Sequence, residues 1–187
     1  MRLRSFPITW GINTVALQLV AVAMIWVLFY KLNLWVFSYF KYNPHVYWVF
    51  LPAGIRMIAV FIFGWAGVIG LFIGSIITND AEMSSDVVYL AAISGLAPML
   101  AKSACKWWFN IPDSLQGLTG SQLLVFAFAG AFANALFSSL QFYYSGIAES
   151  LHSFYPMFVG DLLGTLIIFY LSLGLIRLST TLYKLPV

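Results

Sequence analysis

The sequence predicts an all-α integral membrane protein: a bundle of about six transmembrane helices, two of them short (46–63 and 65–78). Of its 187 residues, 62% are hydrophobic and only 8% are charged. Ordinary soluble domains carry roughly 25% charged residues, so this chain has too little polar surface to face water. Several apolar stretches also reach the ~20 residues with which a helix crosses a bilayer. No polar segment is long enough to form a soluble domain, so residues 1–187 read as a single transmembrane domain.

The first span is read at 8–30. Its basic tip and apolar run look like a secretory signal, but the run is too long for a signal core and no small-residue cleavage site follows it. Three more spans are read at 87–107, 121–144 and 154–178. Residues 46–78 are harder. As one helix they would be about 50 Å long at 1.5 Å per residue, well beyond a hydrocarbon core of about 30 Å. Two short spans meeting near Gly64 and Trp65 fit better. Gly64, Gly67, Gly70 and Gly74 recur at three- and four-residue spacing, a helix face on which a neighbouring backbone can approach closely. Pro52 sits where a missing N–H costs little, and Pro98 is expected to kink its span. The connection LWVFSYFKYNPHVYW is expected to form a short helix lying in the interface, roofing the bundle.

The formal charge is +3, with the basic residues scattered near span ends, a pattern of membrane orientation and not of nucleic-acid binding. Six spans with a cytoplasmic amino terminus place Arg2, Arg4, Lys102, Lys106, Arg177 and Lys184 inside. They place Asp80, Glu82, Asp86 and Glu149 outside, with Lys31 and Lys41 against the pattern. Five spans give the same basic count, and segment length with the Gly64 break favours six. The expected location is the bacterial inner membrane, with both termini cytoplasmic. Cys105 is the only cysteine, which excludes an internal disulfide.

Chemistry concentrates in one layer. Arg56 lies about 15 Å below the outer surface, where an arginine costs about 2.5–3.5 kcal/mol on insertion scales and needs a partner or a wet cavity. Asp161 is the only acidic residue well inside a span, at a depth of about 11 Å, so the two are candidates for a buried ion pair. Gln18, Ser94 and Asn134 are counted to the same level, and Asn134, Ser138 and Gln141 form one polar stripe. These residues either line an outward-facing ligand cavity or simply hydrogen-bond neighbouring helices. The cofactor is left unknown.

Catalysis is not expected. There is no His-Glu-x-x-His run and no glycine-rich phosphate loop, and Asp161 has no intramembrane acidic companion. A serine hydrolase needs a nucleophile with a base in reach, and the two histidines, His45 and His152, both fall near the outer surface. With Glu149 they lack the tight spacing of a metal site, and none is expected.

The stretch FLPAGIRMIAVFIFGWAGVIGLFIGSIITN resembles the first half of the MASE1 group of bacterial membrane-associated sensor domains. FVGDLLGTLIIFYL is similar to that group's later Gly-Asp-x-x-Gly segment, and AAISGLAPMLAKSACKWWF looks like its intervening helix. Pro52, Ala53, Gly54, Gly160, Asp161 and Gly164 are the family-like positions. The resemblance implies a multi-helix sensory module, and with no output domain after RLSTTLYKLPV its signal is expected to pass to a separate membrane protein or a second copy. The expected ligand is small and polar or anionic, held by Arg56, Asp161, Asn134, Gln18 and Ser94. Two other functions suit the same chain: the substrate-capturing subunit of an energy-coupling vitamin transporter, and a structural accessory subunit of a larger membrane complex.

Overall fold

The computed structural model describes residues 12–79, 83–109, 119–146 and 151–182. Six helices carry the fold: α1 (Ile12–Val36), α2 (Pro52–Phe63), α3 (Trp65–Ile77), α4 (Ser85–Phe109), α5 (Gly120–Tyr144) and α6 (Phe154–Leu182). Between α1 and α2 lies an antiparallel hairpin of β1 (Lys41–Asn43) and β2 (Val46–Tyr47). Among the described residues, four helices, α1, α4, α5 and α6, are long and apolar enough to cross a membrane, and α2 and α3 are shorter apolar helices. Residues 8–11 of the expected first span lie outside the described residues. So do Arg2, Arg4, Asp80, Glu82, Glu149 and Lys184, and the side chain of Arg177, on which the charge count drew.

Burial explains the arrangement. α2 touches all five other helices, and residues from Pro52 through Phe61 are buried except the half-buried Ile58. A helix apolar on nearly every side belongs at the centre. α1 is peripheral: Leu17, Val20, Met24 and Leu28 form an exposed stripe along one face, suited to lipid tails.

α2 and α3 form a helical hairpin folded at Gly64, which has φ 56°. That backbone conformation is in the region that glycine enters at little cost. At 12 and 13 residues, the two arms are about 18 and 20 Å long, each shorter than a hydrocarbon core of about 30 Å. The carbonyls at the end of α2 do not go bare: Lys102 of α4 donates to Phe61 O at 3.1 Å and Val60 O at 3.5 Å, with its Nζ 4.9 Å from the Phe61 ring centroid.

Two expectations are corrected. The connection after the first span forms no interfacial helix: α1 itself runs on to Val36, and a 3-10 turn at Ser38–Phe40 leads into the β-hairpin. The cause is local, since Pro44 cannot continue a helix and Asn43 Oδ1 accepts the His45 N–H at 2.8 Å, closing a turn. The short span expected at 46–63 therefore starts as helix only at Pro52. The four glycines also do not serve one neighbour. Gly70 and Gly74 meet α1 at Val22 and Trp26, Gly67 meets Ala59 of α2, and Gly64 makes the turn.

Candidate functional site

The chain entering α2 is non-helical, bent at Trp48 and Val49, and its backbone lies directly on α6. Phe50 N–H donates to Gly160 O at 3.0 Å. A Cβ on Gly160 would overlap the Tyr47 carbonyl, and one on Gly164 the Phe50 carbonyl. The glycines on either side of Asp161 thus admit a non-helical segment against the helix. At its other edge, Asn33 Oδ1 of α1 accepts Leu51 N–H at 2.8 Å, satisfying a backbone donor that the start of α2 would leave bare.

This seating aims Arg56 at α5 and α6. Its Nη2 donates to Asp161 Oδ1 at 2.8 Å, its Nη1 donates to Asn134 Oδ1, and Asn134 Nδ2 donates to Asp161 Oδ2 at 2.6 Å. The ring of hydrogen bonds is closed, and the Arg56 and Asp161 side chains are only 6% and 3% exposed. Arg56 Cζ also lies 5.7 Å from the Trp26 ring centroid and 5.4 Å from that of Phe50, within range of cation–π attraction. Trp26 is fixed in turn by its indole N–H, which donates to Thr78 Oγ1 at 3.1 Å.

The triad forms one wall of a cavity of about 350 Å³ at the β-hairpin end of the bundle. Trp26, Tyr30, Tyr47, Phe50 and Phe142 supply aromatic surface; Ser75, Thr78, Asn79, Ser94 and Ser138 supply uncharged polar groups. His45 and Pro44 of the β-hairpin also line it. Burial and, second, the nearby Lys41 charge lower the His45 pKa, favouring the neutral ring, whose centroid is 5.5 Å from that of Phe142. Arg56 and Asp161 cancel, so the lining carries no net formal charge while His45 is neutral. A second void of about 10 Å³ touches the same triad beside Pro98, Gly130 and Thr165, room for about one water. Among the described residues no group of three or more His, Cys, Asp or Glu is placed to hold a metal.

Of the residues singled out in the sequence, Arg56, Asp161, Asn134 and Ser94 come together, although Ser94 Oγ donates to Ala91 O of its own helix at 2.8 Å. Pro52 opens α2, Gly54 abuts Ile168 of α6, and Ala53 lines the small void. Gln141 points elsewhere, donating to Asp86 Oδ1 at 2.7 Å and tying α5 to α4. Gln18 does not line the cavity. α1 ends six residues beyond the expected 30, which puts Gln18 18 residues from that end, or about 27 Å. Trp26, Thr78 and Asn33 were not singled out. A tryptophan in mid-span is the available signal, because a buried indole N–H demands an acceptor.

Comparison of the chain with protein families, curated proteins and solved structures returns no match. The functional reading therefore rests on the site itself.

Proposed function

We propose that the protein is a membrane-embedded ligand-binding module of sensor type, taking a small polar molecule from the outer side and signalling to a separate membrane partner. The observation that carries this reading is the 350 Å³ cavity walled by the closed Arg56–Asn134–Asp161 ring. A cavity of this size, with convergent polar groups and aromatic walls, is what ligand sites generally offer. The reading places the chain in a bacterial inner membrane, with α1, α4, α5 and α6 as full spans, the α2–α3 hairpin as two short arms among them, and both termini cytoplasmic. Its role is binding and not catalysis, in keeping with the resemblance to MASE1-type sensor domains. The route for a signal is short: Trp26 and Thr78 line the cavity and also join α1 to α3, where Gly70 and Gly74 bring the two helices close. A ligand pressing on that contact shifts the packing of α1.

A second reading, the substrate-capturing subunit of a transporter, has one specific observation in its favour. Two half-length helices meeting in the bundle, with terminal carbonyls covered by Lys102, resemble the discontinuous helices of transporters.

The test is native mass spectrometry of the full chain released from membranes, with Asn134→Leu and Ser138→Phe alongside. A small molecule that leaves on denaturation and is missing from folded variants supports the binding reading. Its presence in equal amount in both folded variants, or its absence from the natural chain across extraction conditions, overturns it. Uptake of a labelled vitamin with an ATPase-driven partner selects transport over sensing.

A further inference from the structure

The ligand's charge class follows from how the triad is closed. Both carboxylate oxygens of Asp161 are engaged, and so is the carbonyl of Asn134. Arg56 and Asp161 neutralise each other, so an incoming anion beside Arg56 also meets the Asp161 charge, and an incoming cation beside Asp161 also meets that of Arg56. Either ion adds an unbalanced charge to a buried neutral site, the costly outcome where burial is not matched by pairing. Aromatic walls ordinarily suggest a seat for a quaternary ammonium group. Here Trp26 and Phe50 already carry Arg56, and Tyr47 carries Lys41, whose Nζ is 5.5 Å from the ring centroid.

What the cavity does present is uncharged. Ser75 and Ser138 offer hydroxyl donors and acceptors, while Leu90 and Met157 offer apolar surface; the Thr78 hydroxyl is already held by the Trp26 indole N–H and the Gly74 carbonyl. We propose, resting on the ligand-binding reading above, that the cavity takes an uncharged polar molecule with one apolar face and discriminates against its anionic and cationic analogues. Its volume is at the low end of the roughly 300–1,000 Å³ typical of ligand pockets, so the molecule is of the size of a monosaccharide or a small heterocyclic amide.

The experiment uses the full chain in lipid nanodiscs and two charge-graded sets: nicotinamide, nicotinate and 1-methylnicotinamide; glucose, gluconate and glucosamine. Thermal midpoint and equilibrium binding are measured for each, with cavity-filling Ser138→Phe and, as a second filler should that chain not fold, Ser94→Leu. The expected result is that a neutral member raises the midpoint and binds at least tenfold more tightly than its charged analogues, and that filling abolishes the effect. If a charged member binds as well or better and filling abolishes it, the charge class is overturned while the cavity remains the site. If no member binds, or binding survives filling, the cavity reading fails and this inference fails with it.

Discussion

Arg56 and Asp161, 105 positions apart in the chain, meet at 2.8 Å in the interior of the bundle. Neither belongs to the α1–α3–α4 side of the fold; the pair joins the central α2 to the last helix, with Asn134 of α5 holding both. Removing one partner leaves the other buried and uncompensated, at a cost of about 3–5 kcal/mol. Arg56→Ala and Asp161→Ala are each expected to destabilise by about that amount. The triple change Arg56→Met, Asp161→Leu, Asn134→Leu is expected to recover much of the loss, since apolar replacement of a whole buried network is often neutral. Denaturant unfolding in mixed micelles checks the order.

Gly160→Ala and Gly164→Ala drive a methyl group into the Tyr47 and Phe50 carbonyls. The non-helical segment must lift from α6, and a loss of about 1–3 kcal/mol is expected from overpacking. A Cβ on Gly174 meets nothing within 4 Å, so Gly174→Ala is the control and is expected to be neutral or slightly stabilising. Thermal midpoints of the three variants decide the matter.

Gly64 is constrained by conformation alone, because a Cβ there has no neighbour within 4 Å while φ is 56°. At φ 56° and ψ −123° the backbone lies outside the left-handed helical region that asparagine tolerates, so Gly64→Ala and Gly64→Asn are each expected to cost about 1–3 kcal/mol. A neutral result for either would contradict a conformational origin.

Lys102→Met removes the donor from the end of α2 while keeping an unbranched chain. The Phe61 carbonyl loses its Lys102 donor, while Val60 O keeps the Gly64 N–H; the loss is expected to cost about 1–2 kcal/mol, as cations at partly buried helix C-termini are worth. Amide exchange near Gly64 should accelerate, and Lys102→Arg should restore much of the protection.

His45 supplies a pH dependence with a definite sign. Burial and Lys41 hold its folded pKa below the ordinary value, about 6.5 for histidine, so in that window the unfolded chain binds the extra proton. Its contribution to stability is complete above the ordinary value and is lost as pH falls through the lowered one. His45→Gln is expected to flatten the acid-side decline of the thermal midpoint, most visibly below the ordinary histidine range.

The buried pair was legible in the sequence because charge in an apolar span is costly enough to demand a partner, and only one carboxylate lay at a similar depth. Asn134 was legible for the same reason of depth. Gln18 was misplaced because hydropathy does not fix where α1 stops: Asn33 continues the helix and then turns its side chain to Leu51 N–H, a role no periodicity reveals. The β-hairpin is hard to see in the sequence because aromatic residues suit both an interfacial helix and a short strand, and only the Asn43–Pro44 turn distinguishes them. The motif around Asp161 was visible as Gly-Asp-x-x-Gly, yet its physical purpose, admitting a non-helical backbone, depends on a segment more than a hundred residues upstream.

The 105-residue separation of the ion pair also bears on biogenesis. At the roughly 5–20 residues per second of protein synthesis, Arg56 emerges about 5–20 s before Asp161. On the membrane reading proposed above, its guanidinium lacks the Asp161 counter-charge throughout that interval, and lipid is a hostile place for it to wait. The α2–α3 arms must therefore be held in a hydrated or chaperoned setting until the final helix arrives. Burial of the arginine becomes a late step of maturation, and a chain cut short before α6 should be recognised and degraded.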